Sequence, residues 1–126
     1  FYTPQGAPNK LRSRGEHEEL VRRREIIEEA MPGRFTILFS DPTFLEIMPK
    51  GVNKGIGLHR LGELFQVPVE QIMAVGDSPN DVDMLKEAGF AVAMDNASSA
   101  VKDVVDYVTA GNDDDGVAKV IEKFVL

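Results

Sequence analysis

The sequence predicts an α/β protein whose larger, carboxy-terminal part is built on a parallel sheet, preceded by a smaller α+β segment. Three observations carry this. The runs IMAV at 72–75 and FAVAM at 90–94 are apolar throughout, without the polar alternation of a half-exposed strand. Helix-forming stretches separate them, the rhythm of a sheet covered on both faces. Before residue 50 the pattern is different: two β-rich runs, FTILFS and FLEIMP, flank the turn signal DPT.

Taken in order, residues 1–15 (FYTPQGAPNKLRSRG) hold two prolines and two glycines and predict a linker or disordered lead-in. Residues 16–31 are dense in helix formers, with Leu20, Ile27 and Met31 able to share one face, and the PG at 32–33 ends that helix. The hairpin of 35–49 follows. Asn53 is a candidate N-cap for a helix over NKGIGLHRLGELFQV, where Ile56, Leu61, Leu64 and Phe65 fall near helical spacing. After IMAV, SPNDVDMLKEAG predicts a helix with Gly89 just past its end. FAVAM, a short helix in SSAVKDVV, a brief YVT strand and a closing helix in DGVAKVIEKFVL complete the chain, with Asp115 as a candidate cap. Met31, Met73, Met84 and Met94 are expected to fill core, and His17 and His59 to be exposed.

The 126 residues suit one core of ordinary size. A net charge of −7 argues against nucleic-acid binding, which needs a basic footprint. The charge is uneven: residues 1–34 carry seven bases against six acids, and residues 35–126 seven bases against fifteen acids. The second part therefore has acids to spare for a cation. The absence of cysteine excludes disulfides and thiolate metal sites. No stretch predicts a membrane span, and a cytoplasmic location is the expectation.

The acids concentrate in GDSPNDVD at 76–83, directly after IMAV. In an open parallel sheet, ligands bind beyond the carboxyl ends of the strands, where this segment falls. Ser78 can cap the following turn, and Pro79 fits its first position. Asp81 at the third position suits a capping box as well as it suits a functional site. Asp83 reads as solvated or favoured by the helix dipole. Asp77 is different, because Ser78 already supplies the cap and site acids gather on such loops. A hard cation such as Mg²⁺ takes one or two carboxylates together with water and substrate phosphate oxygens, and Asp77 fits that role. A calcium loop counted from Asp77 fails, with Val82 and Ala88 where glycine and glutamate are needed, and GNDDDG at 111–116 fails the same test. Lys54 sits in the first turn of its helix, against the dipole. It is either a solvated lysine that tolerates a small penalty or, with the helix N–H groups and a metal, part of an anion site.

NKG followed by GDSPND, within LEIMPKGVNKGIGLHRL and IMAVGDSPNDVDMLKEAGFAVAMDNA, resembles the haloacid dehalogenase (HAD) superfamily of phosphohydrolases, in its Cof-type sugar-phosphatase branch. The likeness covers residues 35–126. It implies a Rossmann-like HAD core over 50–126 and, over 16–49, the remnant of an inserted α+β cap. It also implies an aspartyl-phosphate mechanism on small phosphorylated metabolites, with Mg²⁺ as cofactor. Asp77 would bind the metal, Lys54 would hold phosphoryl oxygens and nucleophile, Asn80 would contact phosphate, and Asp81 would steady Lys54 or a metal-bound water. The family's nucleophile lies in a DxDGT-like segment that nothing here matches; Asp41 in FSDPTF lacks the second acid and falls in the hairpin turn. The expectation is a carboxy-terminal part of such an enzyme, inactive alone and open to self-association through the surface its front would cover. The alternative is a non-catalytic Mg²⁺- or phosphate-binding module, or a fragment stabilised by a partner.

Overall fold

A computed structural model describes residues 8–126 as two compact units that meet in sequence between Val52 and Asn53. The sequence placed that boundary before residue 50. Residues 50–52 stay with the first unit because Lys50 N–H donates to Arg34 O and Gly51 N–H to Thr36 Oγ1.

The first unit is an antiparallel sheet with one helix. Leu11–Arg14 (β1), Phe35–Asp41 (β2) and Phe44–Pro49 (β3) pair in the order β1-β3-β2. β1 corrects the expected lead-in of 1–15 at its described end. Its residues are too few to show a period; it is a strand because β3 offers a second edge, with Arg12 opposite Glu46 and Ser13 opposite Leu45. The Arg12 guanidinium lies 3.7 Å from the Phe44 ring centroid, and Lys10 Nζ lies 3.1 Å from Glu46 Oε1, so cross-strand pairs hold the register. Residues 1–7 of the expected lead-in lie outside the described residues. His17–Ala30 (α1) buries Leu20 completely, and Arg23 Nη1 donates to Ser13 Oγ at 2.7 Å. Met31 is a correction: it is the residue after the helix, at 37% exposure, and its backbone (φ −141°, ψ 65°) has left the helical register that would set it on the face of Leu20 and Ile27. His17 is exposed as expected, although its ring also packs on Phe39.

The second unit carries a parallel sheet. Met73–Gly76 (β4), Phe90–Ala93 (β5) and Tyr107–Val108 (β6) pair in the order β4-β5-β6, with Gly76 beside Ala93 and Ala93 beside Val108. Around it run the helices Lys54–Phe65 (α2), Val82–Glu87 (α3), Ser99–Lys102 (α4) and Gly116–Phe124 (α5). Ala74, Leu85, Ala91, Ala93, Ala97 and Val101 form the core, and the small side chains let the elements approach closely. Phe124 of α5 packs on Phe90 and Tyr107 at ring distances of 4.9 and 5.1 Å.

Two expectations need correcting here. α2 buries Gly55, Leu58 and Gly62, whereas Ile56, Leu61, Leu64 and Phe65 are exposed, the last two by 73% and 69%. The helix presses its small residues inward, which the apolar spacing did not show. Asp115 occupies the position before α5 but makes no capping bond; its backbone is left-handed, with φ of 54°, which carries the side chain away from the helix N–H groups. Among the described residues no helix is long and apolar enough to cross a membrane.

Candidate functional site

The site grows from the end of β4. The strand closes at Gly76, Asp77 and Ser78 form the exit, a single 3₁₀ turn runs over Pro79–Asp81, and α3 begins at Val82. Asp81 folds back over the strand end. A Cβ on Gly76 would stand 2.6 Å from the Asp81 Cβ, so only glycine leaves room for that reversal. The Asp81 carboxylate is then buried, at 4% exposure, and accepts from the N–H groups of Asp77 and Ser78, each at 3.0 Å. This is the carboxylate half of the capping box that the spacing predicted.

Asp81 has a second partner. Its Oδ1 accepts from Lys54 Nζ, which α2 delivers from its first turn. One carboxylate thus makes both the capping contacts and the contact to Lys54. Through Oδ2 it braces the loop carrying Asp77, and through Oδ1 it holds a lysine whose side chain remains 50% exposed. Lys54 and Asp77 come to one end of the sheet, joined through a single carboxylate.

Burial pushes the Asp81 carboxyl up. Hydrogen bonds from Lys54, Ser78 and Asp77, together with the lysine charge, outweigh that and hold it below its ordinary 3.8. The stability it contributes is therefore complete above the ordinary carboxylate value and is lost as pH falls through the lowered one. Lys54→Met removes the strongest of those opposing bonds, so the acid-unfolding midpoint is expected to move to higher pH. Circular dichroism through an acid titration checks this; an unchanged midpoint would mean the pair is not formed in solution.

Asp77 is exposed, and its Oδ1 accepts from Ser78 Oγ at 3.1 Å. Among the described residues its other oxygen takes no hydrogen bond, while both Asp81 oxygens are engaged. The donor set therefore fits a hard cation at Asp77, as one carboxylate that leaves further positions for water and substrate. No cluster of three or more acids or histidines that could enclose a metal occurs among the described residues. Asn80 lies in the same turn, and its Oδ1 is buried without a partner, an acceptor facing no donor. Sequence reasoning gave Asn53 only a capping role. It also reaches Asp83, a tie across 30 positions that no local signal announces.

Asp41 lies in the first unit and serves its turn through one carboxylate oxygen. The Thr43 hydroxyl and N–H both donate to its Oδ1, at 2.7 and 2.8 Å, and hold the carboxyl below its ordinary value. It is the hinge of the β2–β3 turn.

The chain is similar to known proteins in sequence and in fold. The family model described as haloacid dehalogenase-like hydrolase matches residues 1–121. A 5-amino-6-(5-phospho-D-ribitylamino)uracil phosphatase of Bacillus subtilis is 44% identical over 105 residues, covering 82% of this chain and 42% of the relative. The crystal structure of a haloacid dehalogenase-like hydrolase from Bacteroides thetaiotaomicron is 37% identical with a TM-score of 0.79, covering 91% of this chain and 43% of that one. A sugar phosphatase of HAD subclass IIB is 33% identical with a TM-score of 0.74, covering 82% and 40%. The chain thus spans about two fifths of the length of these relatives. With the family model matched over nearly the whole sequence, and Lys54, Asp77 and Asp81 gathered at the end of a parallel sheet, the chain belongs to the haloacid dehalogenase-like hydrolases.

Proposed function

We propose that this chain supplies the metal- and phosphate-binding half of a Mg²⁺-dependent phosphatase acting on small phosphorylated metabolites, sugar phosphates or their like. The observation that carries the reading is the Lys54–Asp81–Asp77 chain of contacts at the mouth of the sheet. Phosphoryl transfer needs charge stabilisation and positioning more than covalent chemistry from the protein. Lys54, held by Asp81, offers an ammonium to non-bridging phosphoryl oxygens. Asn80 orients the phosphate from the same turn. Asp77 would hold Mg²⁺, which when bound supplies neutralisation of the charge that builds on those oxygens. The bond from phosphorus to the metabolite oxygen breaks as a bond from phosphorus to an aspartate oxygen forms, and water later releases phosphate. Asp41 is not a candidate for that aspartate: it lies in the first unit, where its Oδ1 braces the β2–β3 turn, and it lacks the second acid of the family's motif.

In the whole protein, the nucleophile belongs to the more than half of the relatives' length that lies outside the match. The second unit has room for such a segment. Among the described residues β4 pairs on one side only, and a shallow apolar groove lined by Leu61, Phe65, Val67, Ile72 and Met73 runs past its start.

The test is turnover of an aryl phosphate. The chain alone is expected to release no phosphate, and mixing it with the separately produced amino-terminal part of a relative is expected to restore Mg²⁺-dependent release. EDTA should abolish that release, and Asp77→Asn should cut it by roughly a hundredfold or more. Phosphate binding without turnover in the mixture would favour a non-catalytic binding module. Self-association of the chain in sedimentation, relieved by the added part, would assign the groove to that contact.

A further inference from the structure

We infer that Asn53 is the positioning residue of this site: one amide caps the lysine helix and ties it to the aspartate segment, fixing where Lys54 meets Asp81. The inference rests on the phosphatase reading for its functional meaning, and on geometry for its content. Asn53 Oδ1 accepts from Ile56 N–H at 2.8 Å, closing the first turn of α2. Its Nδ2 donates to Asp83 Oδ2 at 2.9 Å, in the first turn of α3. Both ends of one short side chain are thus used, each on a different helix.

What lies beside this amide explains why it matters. Gly55 is buried, and a Cβ there would stand 3.0 Å from the backbone oxygen of Asp83 and 3.2 Å from its carbonyl carbon. The two helices touch backbone to backbone at that point, and a contact without side chains fixes distance but not rotation. Asn53 supplies the missing restraint from two residues away. Lys54 sits between the tie and the contact, so the direction of its side chain follows from both. Farther along, His59 Nε2 lies 3.0 Å from Glu87 Oε2, but both side chains are exposed and such a pair contributes little. Asp83 follows Asp81 by two residues, so the amide grips the segment that also holds the lysine's acceptor.

The experiment uses the chain itself and two readouts. One is the ¹⁵N–¹H signal of the Lys54 ammonium at low temperature, which persists when Asp81 holds it. The other is affinity for inorganic phosphate in the presence of Mg²⁺. Asp83→Ala keeps the cap and breaks only the tie; it is expected to broaden the ammonium signal and weaken phosphate binding by about tenfold. Asn53→Asp, placing two carboxylates together, is expected to do the same. The double variant Asn53→Asp with Asp83→Asn keeps an acceptor for Ile56 N–H and restores a donor–acceptor pair between the helices, and it is expected to recover the signal and bring affinity to within about threefold of the original. A residue that served stability alone would change the melting temperature without this pattern. The inference is overturned if Asp83→Ala leaves signal and affinity unchanged, or if the double variant folds yet recovers neither. Should the unaltered chain bind no phosphate, the phosphatase reading fails, while the ammonium signal still decides whether Asn53 positions Lys54.

Discussion

Asp81→Ala is expected to cost about 2–4 kcal/mol of stability and to release Lys54 altogether. The carboxylate is buried and accepts three hydrogen bonds. Truncation leaves the N–H groups of Asp77 and Ser78 without their acceptor, each at the cost of an unmet donor in a partly buried loop. Lys54 is half exposed and regains water, so its share of the loss is small, and the stability penalty comes mainly from the loop. The functional penalty is the reverse, because a lysine without its acceptor no longer points at the sheet end. Urea denaturation and the Lys54 ammonium signal measure the two separately. Asp81→Asn keeps one acceptor oxygen for the loop and should lose less stability, yet its neutral amide should hold the lysine no better than alanine does. A stability change below about 0.5 kcal/mol for Asp81→Ala would contradict this account.

The second large effect is expected at Gly76. Gly76→Ala places a methyl group 2.6 Å from Asp81 Cβ, 3.0 Å from Cγ and 3.1 Å from Oδ2. Those atoms cannot give way in place, since three donors hold the carboxylate. The turn must open, at about 2–3 kcal/mol, and the strand end loses its brace. Because the change lies in β4 and not in the binding groups, it separates position from chemistry. Asp77, Asn80 and Lys54 all remain, yet phosphate affinity is expected to fall by at least tenfold, and the Asp77 and Ser78 amides should lose their hydrogen-exchange protection. Calorimetric titration of phosphate and amide exchange check these outcomes.

Much of the second unit was legible because its signals are local. IMAV and FAVAM are short apolar runs between turn signals, and each holds a strand of the parallel sheet, while Ser-Pro-Asn-Asp after a strand end gives cap, first position and acid within four residues. Asp81 was left between a cap and a functional site because the spacing could not show that one oxygen takes the loop N–H groups and the other takes Lys54. What escaped depends on partners distant in the chain. Leu11–Arg14 becomes a strand only through β3. The exposed face of α2 escaped because Gly55 and Gly62 carry no hydrophobic signal, although they are what lets the helix approach. Asp115 has the right residue type for a cap and the wrong backbone, and composition does not report φ. The amide tie from Asn53 to Asp83 joins a position read alone as a cap to one read alone as a solvated or dipole-favoured acid.

A ¹⁵N NMR titration of the chain with inorganic phosphate, with and without Mg²⁺, decides whether phosphate and metal meet at the end of the parallel sheet. Saturable shifts confined to Lys54, Asp77, Ser78 and Asn80 are expected, with dissociation constants of about 1 mM or weaker that tighten when Mg²⁺ is present, the Mg²⁺ dependence disappearing in Asp77→Asn. Shifts centred instead on Lys10, Arg12 and Arg14 of the first unit, or none at any concentration, would contradict that placement.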